Sequence, residues 1–414
     1  MKESKTLEFK LAVTNTFLKT VSAYANYGSG AILFGCDDDG RAVGLENPEL
    51  ACLSIENKIN DSIDPNPDYR LSVMKGGVVK LEVKEGRRKP YLYKAKAYKR
   101  NDTATIEVDR LELARLILEG QNRSFEETLA RKQVLGFAYL EQKLRSALGV
   151  ESLTHDMLKT LELETKEGSY TVAGELLADE NSFPGIDTAR FGDSIDVFLD
   201  RQSSQGVSIL RQYDEALNLF KRYYEFERVE GSRRNVVQIV PEAAFREAIA
   251  NALVHRQWDI PAAVRVSMHP DRIEVTSPGG LPQGLSEDEY LNGQVSALRN
   301  PIIGGVFFRL GLIERFGTGI LRIKGSYKGS VNNPIFKFYE NSLTVVLPLL
   351  ETEDDLSADE RVLVRILKGR QLPVSTVVGE SGFGRSKTKQ LLRALAEKGR
   401  VAVLGNGRGT KYQA

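Results

Sequence analysis

Apolar positions recur along this chain at two spacings, and the switches between them divide it into four stretches. In the first, residues 1–122, Leu11, Phe17, Leu18, Val21, Tyr24 and Ala25 share one stripe and predict a helix over Leu11–Asn26, stopped by Gly28-Ser-Gly30. Ala31–Gly35 reads as a short buried strand. Asp37–Gly40 is a tight turn, because Asp-Gly supplies the positive φ such turns need, and Arg41–Leu45 is the returning strand. A second helix over Glu49–Ile63 ends before Pro65-Asn-Pro67. Strands near Arg70–Met74, Val78–Val83 and Tyr91–Lys99 complete an α/β unit.

Residues 123–235 read as a mostly helical connector. Helices are predicted over Ser124–Leu148, over Ser152–Leu163, from Thr171 to Leu177, and over Tyr213–Phe226. The last carries an aromatic stripe, which at helical spacing means core or a dimer interface rather than a cofactor box. The assigned role is connection and packing.

Residues 236–350 are organised around one helix, Phe245–Arg256. Phe245, Ile249, Ala252 and Leu253 form its apolar face, and Glu247, Asn251 and His255 lie at i, i+4 and i+8 opposite. Strands Arg265–His269 and Arg272–Thr276 flank a His269-Pro-Asp271 turn. Ser277-Pro-Gly-Gly-Leu-Pro282 breaks regular structure and lets backbone approach a ligand closely. Arg299-Asn-Pro301 opens a helix through Phe308, Gly317-Thr-Gly319 precedes Ile320–Ile323, and Leu343–Leu347 is a final buried strand. The order predicts a two-layer α/β sandwich.

Residues 356–414 show three short helices and a hairpin. Ser357 and Glu360 make a capping box for the first helix. Val374–Gly379 is the second, and Gly384–Lys398 the third, with Leu391, Leu392 and Leu395 inward. The hairpin runs from Arg400–Leu404 through Gly405–Gly409 to Thr410–Tyr412.

Composition narrows the function classes. With 414 residues the chain exceeds one core, and two to four domains are expected. The whole carries a net charge of +1, so any nucleic-acid footprint is local. No apolar run is long enough to span a bilayer, and MKESKTLEFK lacks a signal-peptide core, so no membrane partner and a cytoplasmic setting are expected. The two cysteines, Cys36 and Cys52, and three histidines have no metal-ligand spacing. Charge is segregated, however. After the acidic linker Glu351–Asp355, residues 356–414 hold twelve Lys and Arg against four Asp and Glu, a local +8. Lys94 and Lys96, with Tyr98, fall on one face of the expected strand Tyr91–Lys99 and form a candidate phosphate or base platform. A solvated strand face fits the same pattern.

Three sets of motifs resemble known families. Glu3-x4-Glu8-Phe-Lys10, Ser22-Ala-Tyr-Ala-Asn26, Gly28-x-Gly30, Gly35-x-Asp-Asp38-x-Gly40 and Val43-Gly44 resemble the AlbA-like domain shared with Schlafen proteins. That resemblance implies a nucleic-acid-binding module. It also implies an alternative, a metal-dependent ribonuclease in which Glu3, Glu8 and Asp38 match the three acidic residues. The second set resembles the GHKL ATPase fold in its divergent form. Glu247 and Asn251 match its first box, where the Asn holds Mg²⁺ on the nucleotide phosphates and the Glu orients water in hydrolysing members. Ser277-Pro-Gly279 matches the second box, and Gly317-Thr318-Gly319 the glycine box. Bound ATP with Mg²⁺ is what this implies, together with an ATP-driven dimerisation switch as a further alternative. Ser277 departs from the family, whose Asp receives the adenine amino group with a charge the serine cannot supply. The third set resembles winged helix-turn-helix domains, which implies DNA contacts from Arg385, Ser386, Lys387 and Lys389 on the third helix and from Arg408 and Lys411 on the wing. Together they resemble a bacterial regulator with DNA as partner, a nucleotide or small-molecule effector, and a homodimeric state.

Overall fold

The structure, a computed structural model, describes residues 2–230, 233–282, 284–293, 297–314, 317–350, 356–397, 400–405 and 407–414; the side chains at 228–230, 233–235, 358 and 408 lie outside the description. The expected linker Glu351–Asp355 also lies outside it.

The first unit is a four-stranded sheet in the order Leu7–Lys10, Gly30–Phe34, Val79–Val83, Tyr69–Val73. The first pair is parallel and the others are antiparallel. A parallel pair needs a crossover, which is the helix Phe17–Tyr27. It buries Phe17, Leu18, Val21, Tyr24 and Ala25 on the sheet, and Gly28 ends it at φ 136°. The helix starts six residues later than expected, and Leu11 is 59% exposed. Thr14-Asn15-Thr16 accounts for this, because short polar side chains favour helix entries over interiors.

Two further expectations are corrected. Arg41–Leu45 is not a strand, since only an isolated bridge from Cys36 to Ala42 forms and Val43 is exposed. Tyr91–Lys99 is not one strand either. Lys94 and Ala95 take φ of 51° and 58°, in a turn closed by Tyr93 N–H to Lys96 O (2.9 Å) and Lys96 N–H to Tyr93 O (3.1 Å). The strand splits into Leu92–Tyr93 and Tyr98–Asn101, and the turn breaks the period-two alternation. Tyr98 is therefore buried beside Tyr93, not displayed with the lysines. A helix, Arg110–Gly120, closes the unit.

The connector is less helical than expected. Ser124–Leu148 resolves into a single 3-10 turn, Phe125–Glu127, an extended stretch, and a helix over Ala138–Leu148. Leu129 and Val134 are exposed, and Asp179 instead receives the N–H groups of Ala138 and Tyr139 at 2.8 Å, so the helix starts there. The helix near Ser152–Leu163 shortens to His155–Thr160, and Val172–Leu177 forms as expected; the helix expected over Tyr213–Phe226 runs instead from Ile209 to Tyr224, and Phe226 lies exposed in a strand, Glu225–Glu230.

The unexpected feature lies between them. Strands Ile186–Phe191 and Phe198–Ser204 belong to a six-stranded sheet ordered Phe198–Ser204, Ile186–Phe191, Val264–Met268, Arg272–Pro278, Ser342–Pro348, Ile335–Phe338. One hydrophobic core joins that sheet to the helices Ala138–Leu148, Ile209–Tyr224, Glu242–Val254, Pro301–Arg309 and Gly319–Ser326. The unit is a two-layer α/β sandwich.

Two contacts tie it to what precedes. Arg115 donates to Asp259 at 2.6 Å. Glu126, fully buried, accepts the N–H groups of Ile302 (2.6 Å) and Ile303 (2.9 Å), free donors in the first turn of the Pro301–Arg309 helix. The last unit packs helices Ala358–Leu367, Val374–Ser381 and Arg385–Glu397 around Leu363, Leu367, Val377, Leu392 and Leu395. A three-stranded sheet ordered Leu372–Pro373, Lys411–Gln413, Ala402–Leu404 lies against them, and the Ser357–Glu360 capping box is present. Among the described residues no helix is long and apolar enough to cross a membrane.

Burial pushes the Glu126 carboxyl up to about 8, against the pull of its two amide donors. A folded value above the ordinary 4.5 means that the stabilisation linked to this proton is present below pH 4.5 and lost as pH rises through 8. Urea titrations at stepped pH should show this part of the slope vanish in Glu126→Gln. Glu126→Ala should cost about 2–4 kcal/mol at pH 7 by leaving two buried N–H groups unpaired.

Candidate functional site

The helix Glu242–Val254 and the loops at its carboxyl end build a cleft of about 990 Å³, open mouth included. It is lined by Glu247, Asn251 and His255 from the helix, Ser277, Gly279 and Gly280 from the strand end, Tyr290, Arg299 and Glu314, and Gly317 and Gly319. The first box, the second box and the glycine box, separated by up to 72 residues, thus meet around one space.

Each wall has a physical cause. Asn251 Nδ2 donates to Glu247 Oε1 at 3.2 Å, one helical turn away. The Glu247 carboxyl is held above the usual range, chiefly by burial, with Arg322 and the Asn251 bond pulling the other way. His255 is pushed down to about 4, by burial first and then by the charge of Arg299, so its imidazole is neutral at neutral pH. Ser277 Oγ donates to Ala252 O at 2.8 Å. Gly279 sits at φ 103°, and a Cβ there would meet Arg299 Nη1 at 2.6 Å, so glycine is required for this close approach.

Arg299 and Asn300, read from sequence only as a helix start, are the clamp that shapes the cleft. Arg299 donates to His255 O (2.7 Å) and Gly280 O (2.8 Å), while Asn300 Nδ2 donates to Val254 O (2.7 Å) and Arg256 O (2.8 Å). Nothing in the local pattern of Arg-Asn-Pro reveals this long-range role.

Asn251 donates its Nδ2 to Glu247, and among the described residues its Oδ1, the oxygen that would hold Mg²⁺, has no hydrogen-bond partner. The metal end therefore fits a nucleotide's magnesium. The glycine box lies directly on it, since a Cβ at Gly319 would come within 2.2 Å of Glu247 Oε1 and 3.0 Å of Asn251 Nδ2. Gly317 is at φ 66°, and Thr318 caps the Gly319–Ser326 helix without a side-chain bond, so free N–H groups at this helix start can face phosphate. The base end fits less well, because Ser277 brings no carboxylate and its proton is already given to Ala252.

The acidic trio of the first unit is arranged differently from the resemblance's expectation. Glu3 accepts the N–H of Phe9 at 2.8 Å. Glu8 is buried with both oxygens engaged, Oε1 by Lys10 (2.6 Å), Oε2 by Arg100 (2.6 Å) and Thr20 (2.7 Å). Asp38 is exposed in its turn. Among the described residues no group of three or more His, Cys, Asp or Glu is placed to hold a metal ion. Lys94 and Lys96 are exposed beside the 94–95 turn, with Lys96 paired to Glu107 at 2.7 Å.

In the last unit Arg385, Ser386 and Lys389 are exposed at the start of the third helix and Lys411 on the outer hairpin. Lys387 is tied back to Asp359 at 2.6 Å and over the Phe383 ring. The side chain of Arg408 lies outside the described residues. Two other acids here, Glu380 and Glu397, are paired with Arg370 and Arg393.

Comparison with known proteins bears on two of the three units. Residues 3–109 match the family described as "Schlafen, AlbA_2", and residues 262–347 match the family described as "Putative ATP-dependent DNA helicase recG C-terminal", a HATPase_c type. The chain carries a Schlafen-type AlbA domain and an ATPase-like domain. The ATPase-like match begins after the helix bearing Glu247 and Asn251, which joins that domain through the shared core. A search of curated proteins found no match. The crystal structure of the DIP2311 protein from Corynebacterium diphtheriae aligns over 99% of this chain and 92% of its own, with 19% identity and a TM-score of 0.49.

Arg299→Ala removes the donor to two carbonyls at the cleft of the ATPase-like domain. Denaturant unfolding should show a loss of about 2–4 kcal/mol.

Proposed function

We propose that this protein is a DNA-binding transcriptional regulator whose ATPase-like domain takes a nucleotide or small-molecule effector. The observation that carries this reading is the last unit. Three helices with a three-stranded sheet is the arrangement of a winged helix-turn-helix, and its third helix begins with exposed Arg385, Ser386 and Lys389. Its acids are engaged by caps and ion pairs, so the outward charge of this +8 segment is cationic. Such a surface suits the phosphates of a duplex, with the helix start in the major groove and Lys411, with Arg408, on the backbone.

The AlbA domain adds a second nucleic-acid surface, and the cleft supplies the signal. Asn251 would hold the magnesium of a bound nucleotide, and Gly317–Gly319 its phosphates. The bound group would bring anionic charge to the glycine box, and the chain's own residues would position it. Because Glu8 is already neutralised by Lys10 and Arg100, the metal-dependent ribonuclease reading has less support than DNA binding. A homodimer and a cytoplasmic setting belong to the same proposal.

Anisotropy with a labelled duplex across a salt series tests the DNA reading. Arg385→Ala/Lys389→Ala should flatten the log–log slope by about 1.8, roughly 0.9 per lost phosphate contact. Unchanged affinity and slope in that variant, and in a chain lacking residues 356–414, would sink it. Millimolar ATP with Mg²⁺ should raise the melting temperature of the parent and not of Asn251→Ala.

A further inference from the structure

The AlbA domain contains a cationic notch that none of the matched motifs accounts for. Asn15, Thr16 and Lys19 form one wall, and Lys94 and Lys96 the other, over a floor of Tyr93 and Tyr98. The space between them is about 670 Å³, its open mouth included. Among the described residues no carboxylate lines it. Lys58 joins from the side, donating to Asn15 Oδ1 at 2.5 Å. That bond turns the amide N–H₂ of Asn15 away from Lys58 as a free donor.

The fold holds this group deliberately. Lys94 and Ala95 occupy the left-handed region, where a non-glycine residue costs on the order of 1 kcal/mol and is retained when the surroundings over-determine it. The turn brings the Lys94 ammonium to 5.4 Å from the Tyr93 ring centroid, and Lys19 lies 5.7 Å from that of Tyr98. The buried rings are thus posts on which the two ammonium groups rest. Glu107 pairs with Lys96 at the rim, one acid against four lysines. Like charges gathered around one concavity, with the Asn15 amide beside them and the Thr16 hydroxyl held on Thr14 (2.7 Å), are complementary to a single compact polyanionic group.

We propose that this notch binds a phosphate ester, supplied either by the backbone of a single nucleic-acid strand or by a mononucleotide. The tyrosines lie under the lysines and present no open face for a base, so recognition is of the phosphate and independent of sequence. Only the strand as source rests on the nucleic-acid reading above. The notch is remote in sequence from the 356–414 unit and from the ATPase-like cleft.

The test uses the full chain and its Lys19→Gln/Lys94→Gln/Lys96→Gln variant, with thermal unfolding as the control for folding. Anisotropy of a labelled 20-nucleotide strand is followed across a salt series, and AMP binding by calorimetry. A strand source predicts that the variant binds about tenfold more weakly at 100 mM salt, with a log–log slope flatter by about 2, at roughly 0.7 per contact. A mononucleotide source predicts unchanged strand binding with loss of the AMP heat. Restoring charge with Lys94→Arg in the triple background should recover part of either effect. If strand affinity, slope and AMP binding are all the same in a folded variant, the proposal is overturned. Running Arg385→Ala/Lys389→Ala in parallel separates the two surfaces, because each set of cations carries its own share of the slope.

Discussion

A helix that ends inside a protein leaves carbonyl groups that water cannot reach. At the end of Glu242–Val254 those groups are taken by three residues distant in sequence. Asn300 bonds Val254 and Arg256, Arg299 bonds His255, and Ser277 bonds Ala252. The same arginine reaches Gly280, so the solution that caps the helix also sets the distance from helix to glycine loop, and with it the width of the cleft. Ser277 is thereby explained. Its hydroxyl donates to the Ala252 carbonyl, a bond an ionised carboxylate could not make. The constraint continues outward, since Pro301 follows Asn300 directly and the helix it opens is capped by Glu126 from the connector.

What the chain revealed in advance depended on how local the governing physics is. Phe17–Tyr27 and Pro48–Ser62 were readable because a glycine or proline follows each closely, and Glu242–Val254 because its apolar stripe is nearly complete. So were the strands Val264–Met268 and Arg272–Pro278 around their turn. The boxes of the cleft could be named in order, but not the clamp that gathers them, because Arg299 and Asn300 act on backbone more than forty residues away. Tyr91–Lys99 misled because alternation continues through a two-residue turn that nothing in Lys-Ala announces. Ile186–Phe191 and Phe198–Ser204 were missed for a related reason. Their outer residues are polar or exposed, and their membership of a sheet is decided by a parallel partner, Val264–Met268, far along the chain.

Charge is arranged at two scales. Across the whole molecule acids and bases nearly cancel, yet in both the AlbA notch and the last unit the acids are spent on ion pairs or caps. What remains outward there is cationic. In the ATPase-like cleft the reverse holds, for burial suppresses charge: Glu247 is harder to ionise, His255 stays neutral, and Arg299 is committed to carbonyls. The cationic surfaces and the cleft are thus physically different environments within one chain.

The two strands at one edge of the sheet, Phe198–Ser204 and Ile186–Phe191, come from ahead of the stretch that carries every cleft residue. A fragment excised at residue 236 would retain the whole set of boxes but expose the Val264–Met268 edge, with bare N–H and carbonyl groups inviting intermolecular strand addition. The boundary visible in motifs and the boundary of a separable folding unit are therefore different places. For this domain the second lies upstream, among residues that bear none of the chemistry.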